Sequence, residues 1–207
     1  MIGCRFFSVE NRELASVLRL NSLDGTNRLT RACMLALNDA FDDLARAPQP
    51  VIITGNEKFF SAGADLNEIG ALSAPEGYEF SRSGQNLTNT IECFPALVCA
   101  AISGYCMGGG LDLAVACHRR IAAPSAIFGH RGATLGLITG WGGTQRLPRL
   151  IGKAQALEMF VTARKLDARE ALRIGLVDAV SDDPLAEAIA QVTQSKLRVV
   201  IPDRLQP

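Results

Sequence analysis

The chain has 207 residues, a length that fits one domain able to bury a core without disulfides or metal ions. It carries 21 basic and 21 acidic side chains, a balance that favours neither nucleic acid nor an anionic membrane as a partner. The apolar runs are too short to span a bilayer and the six cysteines show no C-x-x-C spacing, so we expect a compact cytoplasmic α/β protein with reduced thiols.

The predicted elements alternate between strands and helices along the chain. The first half predicts strands at 6–9 and 14–20, a helix at 29–45, a strand at 51–54, a loop at 55–65 and a helix at 78–92. The second half predicts a strand at 96–102, a helix at 108–118, a strand at 120–123, a glycine-rich stretch at 132–143, helices at 154–162 and 168–174, a strand at 175–180 and a helix at 184–197. This alternation with short links favours parallel strands joined by right-handed crossovers.

Two glycine-rich segments follow predicted strands and open into helices. They are SAGADL at residues 61–66 and GYCMGGGLD at residues 104–112. Such turns can each direct a free backbone N–H at one point, and two converging donors form an oxyanion hole for acyl chemistry. The second turn also places the carboxylate of Asp112 just inside its helix. Together these features predict an enzyme that acts on a carbonyl compound.

Several segments, taken in order, resemble the motifs of one enzyme family. They are VIITG at 51–55, FSAGADL at 60–66, GYCMGGGLD at 104–112, GWGGTQRL at 140–147 and AREALRIGLVD at 168–178. The chain is similar over residues 14–182 to the crotonase superfamily, also called the enoyl-CoA hydratase/isomerase family. The resemblance implies an α/β fold that is a crotonase-like spiral of β-β-α units, with a core domain at residues 1–182.

The same resemblance implies a substrate site. The family binds an acyl-CoA and holds its thioester oxygen on two backbone N–H groups, whose positions fall here on Ala64 and Gly109. Polarising the thioester acidifies the α-carbon and stabilises an enolate. Coenzyme A enters as part of the substrate, and we expect no separate cofactor and no metal. The residues expected to contact the substrate are Ala62, Asp65, Leu66, Gly132, Gly140 and Trp141.

The side chains that carry the chemistry depart from the family's usual pattern. Typical hydratases use two glutamates to activate water and to move the proton at the α-carbon. The first position falls on Asp112, which keeps the carboxylate on a shorter arm, and the second falls on Gly132. Gly140, whose backbone position supports the nucleophilic water in hydratases, is retained. The resemblance therefore implies Asp112 as the acid/base group.

Each candidate residue also has an ordinary structural interpretation. Asp112 would also suit the first turn of its helix, where a carboxylate is favoured. His130, beside the missing carboxylate, would supply a second titrating group near neutral pH, although loop histidines more often serve structure. Trp141 would line the acyl pocket or pack in the core. Lys58 and Arg28 would contact coenzyme A phosphates or remain surface cations.

The end of the chain also departs from the family. Family members continue with a helical segment that packs on neighbours and helps to close the site. Here residues 183–207 predict a shortened C-terminal helical segment, a helix with a tail. We nevertheless expect a homo-oligomer, a trimer or a hexamer.

The favoured function is enoyl-CoA hydration or isomerisation, and two alternatives stay open. Gly132 in place of a carboxylate favours another enolate reaction on the same scaffold: thioester hydrolysis, decarboxylation or C–C cleavage. The missing glutamate and the shortened segment favour a non-catalytic acyl-CoA-binding homologue. Such a homologue would bind CoA esters, turn none over, and be indifferent to Asp112→Asn.

Overall fold

A computed structural model describes residues 2–195 of the chain. The strands are β1 (Ile2–Cys4), β2 (Phe7–Asn11), β3 (Ser16–Leu20), β4 (Arg28–Leu29), β5 (Val51–Thr54), β6 (Phe59–Ser61), β7 (Gly63–Ala64), β8 (Val98–Ile102), β9 (Tyr105–Met107), β10 (Arg119–Ala122), β11 (Ile127–Gly129), β12 (Leu166–Asp167) and β13 (Ala179–Val180). The helices are α1 (Arg31–Ala45), α2 (Leu66–Ala71), α3 (Ala74–Glu92), α4 (Gly109–Ala116), α5 (Gly143–Ile151), α6 (Lys153–Thr162), α7 (Ala168–Arg173) and α8 (Pro184–Ser195). A short 3-10 helix spans Gly132–Leu135.

The strands within residues 2–195 form three sheets. The largest has the order β1-β2-β3-β5-β8-β10-β13, antiparallel up to β3 and parallel beyond it. A second sheet has the order β12-β11-β9-β6, and β4 pairs with β7 in the third. Three pairs of consecutive strands, β5–β6, β8–β9 and β10–β11, each place their first strand in the large sheet and their second strand in the second sheet. Helices follow each pair. This arrangement confirms the predicted spiral of β-β-α units.

Helix starts follow recognisable local chemistry. The hydroxyl of Thr30 accepts a hydrogen bond from the N–H of Cys33 at 3.1 Å and caps α1. Ser73 and Glu76 form a capping box at the start of α3, where Pro75 occupies the first turn. These caps satisfy donors that have no carbonyl partner within their own helix. They determine the residue at which each helix begins.

The large sheet is buried on both faces. All residues of β5 and β8 are buried, as expected for parallel strands covered on two sides. Helices α1, α3 and α4 contribute to the main core on one side. On the other side α8 packs through Ala188 and Val192 against Ile52, Cys99 and Ala101. Among residues 2–195, no helix combines the length and apolar character needed to cross a membrane.

Several predicted element boundaries are wrong. The predicted loop at 55–65 contains β6 and β7, because each pairs with a strand from elsewhere in the chain. The predicted strand at 175–180 shrinks to β13, because the N–H groups of Leu176 and Val177 both turn back to the carbonyl of Ala171. Helix α5 was not predicted, since it starts among glycines and contains Pro148. The last two residues of the predicted helix at 184–197 lie outside the described residues.

A buried arginine in β10 is hydrogen-bonded to the segment that leads into β13. The guanidinium of Arg120 donates to the carbonyls of Leu176 at 2.9 Å and Cys117 at 2.6 Å. It also donates to the carboxylate of Asp178 at 3.1 Å, and that carboxylate accepts the backbone N–H of Arg120 at 2.8 Å. Since Leu176 and Cys117 are buried, removing the guanidinium leaves their carbonyls without this donor in a largely dry environment.

We expect Arg120→Met to lower the free energy of unfolding by about 3 kcal/mol because of this loss. The neighbouring Arg119 is half exposed and makes one 3.3 Å contact with Asp178, so Arg119→Met is the matched control. The control is expected to cost less than about 1 kcal/mol. Urea denaturation of both variants measures the difference, and equal losses would contradict the assignment.

Candidate functional site

The first part of the site is the N-terminus of α4. Gly108 has a φ of +51°, a left-handed conformation that favours glycine, and its N–H donates to the carbonyl of Gly129 at 2.9 Å. This turn lets α4 start at Gly109, whose N–H has no carbonyl partner within the helix. The turn thus presents a free donor at the positive end of a helix.

The other glycine turn lies against this helix start. Gly63 has a φ of +94°, and it leads through Ala64 to the start of α2. A Cβ placed on Gly63 would lie 3.0 Å from the backbone nitrogen of Gly109 and 2.5 Å from the carbonyl oxygen of Met107. Ala64 and Gly109 are both partly exposed. The fold therefore brings the turn that leads to Ala64 against the helix start that carries Gly109.

Asp112 lies one turn further along α4, and its side chain is only 1% exposed. The hydroxyl of Thr139 donates a hydrogen bond to Oδ2 of this carboxyl group. Burial raises the pKa of Asp112 to about 7, against the opposing effects of the Thr139 hydroxyl, the Trp141 backbone and the charge of Arg146. A carboxyl group with this pKa can both accept and donate a proton near neutral pH.

His130 lies directly beside Asp112. Its Nε2 is 3.3 Å from Oδ1 of Asp112, yet neither atom makes an aligned hydrogen bond within residues 2–195. The imidazole is 4% exposed and packs against the ring of Phe160, with 5.2 Å between ring centroids. Burial lowers the pKa of His130 to about 4, so the ring is neutral at pH 7. Asp112 is therefore the member of this pair that titrates near neutral pH.

Trp141 fills the space between α3 and α4. It is 5% exposed, and a Cβ added to Gly84 on α3 would collide with Cδ1, Cγ and Nε1 of the indole. A Cβ added to Gly109 would collide with Cζ3 at the other end of the ring system. The ring of Phe80 lies 5.4 Å from the indole between centroids. The indole thus fits only because two glycines face it.

A buried arginine holds the backbone at this position. Arg146 donates from Nη1 to the carbonyl oxygen of Trp141 at 3.3 Å and to the hydroxyl of Thr88 at 3.1 Å. Its other nitrogens bind Glu92 at 2.6 and 2.9 Å and Asn89 at 2.6 Å. This network links α5 to α3 and places a positive charge near Asp112.

Three further predicted contacts flank Ala64. The carboxylate of Asp65 caps α2 by accepting the N–H groups of Asn67 at 2.8 Å and Glu68 at 3.3 Å. Leu66 is exposed beside it, and the N–H of Ala62 donates to the carbonyl of Thr26 at 2.9 Å. Asp65 therefore has a structural role that accounts for its carboxylate.

The remaining predicted contacts lie on a largely exposed segment between β11 and α5. Gly132 begins the 3-10 helix, and its carbonyl accepts the N–H of Leu137 at 2.9 Å. Gly140 is exposed, and its carbonyl accepts the side-chain amide of Gln85 at 2.8 Å. The segment connects His130 at one end to Trp141 at the other.

Two other predicted roles concern residues outside this cluster. Arg28 lies 3.3 Å from the carboxylate of Asp24 and 3.8 Å from that of Asp65, while Lys58 is exposed ahead of β6. Within residues 2–195, no group of three His, Cys, Asp or Glu side chains is arranged to hold a metal ion.

The sequence did not single out four residues that shape the site. Arg146 belongs to the quoted GWGGTQRL motif, and Thr139 directly precedes it, so the motif was the available signal for both. Gly84 and Phe160 lie in helices whose pattern indicates ordinary packing, and no signal distinguished them.

Comparisons with known proteins agree with this fold. The family model described as enoyl-CoA hydratase/isomerase matches residues 11–201. A crotonyl-CoA hydratase from Syntrophomonas wolfei is 42% identical over 175 residues, covering 83% of this chain and 67% of that protein. The structure of Pseudomonas aeruginosa DspI aligns with a TM-score of 0.89 and 32% identity, covering 94% of this chain and 82% of that one. An enoyl-CoA hydratase from Bacillus anthracis aligns with a TM-score of 0.86 and 35% identity, covering 91% and 76%. With the matched model spanning nearly all of it, the chain belongs to the enoyl-CoA hydratase/isomerase family.

Proposed function

We propose that this protein adds water to a 2-enoyl-CoA, and removes it in reverse, with Asp112 as its single acid–base group. The observation that carries the proposal is a buried carboxyl group with a pKa of about 7, one helical turn from the N–H of Gly109. The similarity to a protein named crotonyl-CoA hydratase supports the reaction class.

The backbone N–H groups of Ala64 and Gly109 would hold the thioester oxygen. Negative charge develops on this oxygen as the enolate forms, and two preorganised donors stabilise it. The N-terminus of α4 adds its partial positive charge at the same point. Polarisation through the conjugated double bond makes the β-carbon electrophilic.

One carboxyl group can complete the proton transfers. The carboxylate of Asp112 takes a proton from water while the water oxygen bonds to the β-carbon and the double-bond electrons move to the enolate. The resulting carboxyl group then gives that proton to the α-carbon as the enolate collapses to the thioester. The net change is the addition of one water. The neutral ring of His130 packs beside this carboxyl group, with its Nε2 3.3 Å from Oδ1.

Purified protein and crotonyl-CoA test the proposal directly. We expect the enone absorbance to fall and the product to gain the mass of one water. Asp112→Asn is expected to abolish this change, and Asp39→Asn, at an exposed position on α1, is the matched control. Full turnover by Asp112→Asn would contradict the role of Asp112. Failure of the parent protein with every 2-enoyl-CoA would contradict hydration.

Double-bond isomerisation is the second candidate. Gly132 favours it, because moving a proton between the α- and γ-carbons needs only one acid–base group and no held water. An isomerase would convert a 3-enoyl-CoA into the 2-enoyl-CoA without change of mass. Product masses from both substrates therefore distinguish the two reactions.

The pH dependence of hydration should follow the ionisation of Asp112. Since the carboxylate form accepts the proton from water and the pKa is about 7, kcat/KM should rise with pH and level off above pH 8. The expected increase between pH 6 and pH 8 is about tenfold. Initial rates with crotonyl-CoA measure it, and a flat profile over this range would contradict the assignment.

We also propose a homo-oligomer, a trimer or a hexamer, that acts on fatty acyl-CoA metabolites in the cytoplasm. The support for assembly is an exposed apolar surface formed by Leu135, Leu137 and Ile138, the last of them 72% exposed. Val161 on the nearby α6 is also exposed. Light scattering on a sizing column tests the assembly, and a monomer at all concentrations would contradict it.

A further inference from the structure

The indole of Trp141 is held as a fixed wall by one face of α3. Phe80 and Gly84, four residues apart on this face, contact the ring, and the hydroxyl of Thr88 binds the carbonyl oxygen of Trp141 at 2.9 Å. Gln85 binds the carbonyl of the preceding residue, Gly140. Helix α3 therefore fixes both the ring and the backbone of Trp141.

This wall borders the path of an acyl chain. A thioester oxygen on the N–H of Gly109 requires the α- and β-carbons to lie within reach of Asp112, one turn along the same helix face. The six-membered ring of Trp141 already covers Gly109, with Cη2 3.1 Å from a Cβ built there. Carbons beyond the β-carbon must therefore pass the indole.

We propose that Trp141 is a specificity-determining residue that limits the acyl group to a short chain. The inference rests on the proposed function, since it takes the thioester oxygen to bind at Ala64 and Gly109. An indole in van der Waals contact with two glycines leaves no room for added methylenes without displacing α3 or α4. Short 2-enoyl-CoA esters are thus the substrate class that this site accepts.

A series of 2-enoyl-CoA esters tests the limit in the unaltered protein. We expect kcat/KM for 2-decenoyl-CoA to be roughly 10- to 100-fold lower than for crotonyl-CoA. Equal values for the two esters would overturn the inference and leave the proposed hydration intact. No turnover at any length would instead count against the proposed hydration.

Variants of the wall provide the second test. Trp141→Ala is expected to raise the ratio of kcat/KM for 2-decenoyl-CoA over crotonyl-CoA at least roughly tenfold, with Trp141→Phe intermediate. Gly84→Ala is the matched probe. As a single substitution it should lower folding stability and activity, and in combination with Trp141→Ala it should be tolerated. An unchanged ratio in both Trp141 variants would overturn the inference.

Fluorescence supplies a measurement that needs neither turnover nor a variant. Trp141 is the one tryptophan of the 207-residue chain, so the tryptophan emission reports this wall alone. We expect butyryl-CoA to change the emission, free coenzyme A to leave it unaltered, and decanoyl-CoA to bind at least roughly tenfold more weakly than butyryl-CoA. Equal affinities for the two esters would overturn the length limit even if no enoyl-CoA is hydrated.

Discussion

Asp112→Asn is expected to remove hydration activity and, at the same time, to make the fold more stable above pH 7. The amide keeps the shape of the side chain and an acceptor for the Thr139 hydroxyl, but it cannot take a proton from water. Loss of a general acid–base group lowers kcat by about 10²- to 10⁴-fold. If Asp112→Asn is folded but no longer hydrates the substrate, the acid–base chemistry depends on this carboxyl group.

The gain in stability follows from the pKa of the same group. Burial raises the pKa of Asp112 from 3.8 to about 7, so the folded protein holds a proton that the unfolded chain has released. Folding therefore weakens as the pH rises from about 4 to about 7, and the full penalty is present above pH 7. Removing the charge should raise the free energy of unfolding at pH 8 by up to about 4 kcal/mol.

Urea denaturation at pH 5 and pH 8 measures this effect. The difference between Asp112→Asn and the unaltered protein should be larger at pH 8, because the penalty is only partly developed at pH 5. The pKa of His130 is lowered and changes stability in the opposite sense below about pH 6.5, but the ring is present in both proteins. Asp39→Asn serves again as the control, and a destabilised Asp112→Asn at pH 8 would contradict the prediction.

Gly109→Ala is expected to have the second largest effect. Alanine retains the backbone N–H, but its Cβ collides with Cζ3 of Trp141, so the start of α4 must shift. A displaced oxyanion donor costs about 10²- to 10³-fold in kcat. Overpacking at this contact should also lower the free energy of unfolding by about 1–3 kcal/mol.

Rates with crotonyl-CoA and urea denaturation measure both effects. Gly77→Ala in α3 is the matched control, since its Cβ meets no atom within 4 Å and alanine should stabilise the helix by about 0.5–1 kcal/mol. In a Trp141→Ala background the collision is absent, so Gly109→Ala should cost less stability there than in the protein that retains the indole. A Gly109→Ala protein with normal kcat and stability would contradict the assigned contact.

The fold could be predicted where one element carries its own pattern. Helix α1 was found because Met34, Leu37 and Phe41 recur at helical spacing, and β5 is a continuous apolar run. Strands of two or three residues such as β7 and β9 have no period to detect, since they exist only through pairing with distant strands. Helix α5 starts at Gly143 and includes Pro148, two residues that locally disfavour a helix.

The site could be predicted as far as backbone turns determine it. The glycine pattern led to Asp112 and to the turn before it, because that helix start is encoded in one short segment, and the family resemblance assigned Gly109 within the same segment. The distance of His130 from Asp112 depends on how β11 pairs with β9, and no local pattern carries that information. The same holds for Trp141, whose partner Gly84 lies 57 positions earlier in the chain.

The contact of one indole with two glycines also constrains the order in which substitutions can accumulate in this protein. While Trp141 is present, neither Gly84 nor Gly109 can gain a side chain without collision. Once the indole is replaced by a small residue, a side chain at Gly84 becomes tolerable and can reline the vacated space. A laboratory lineage selected for longer acyl groups should therefore acquire its change at Trp141 before any change at Gly84.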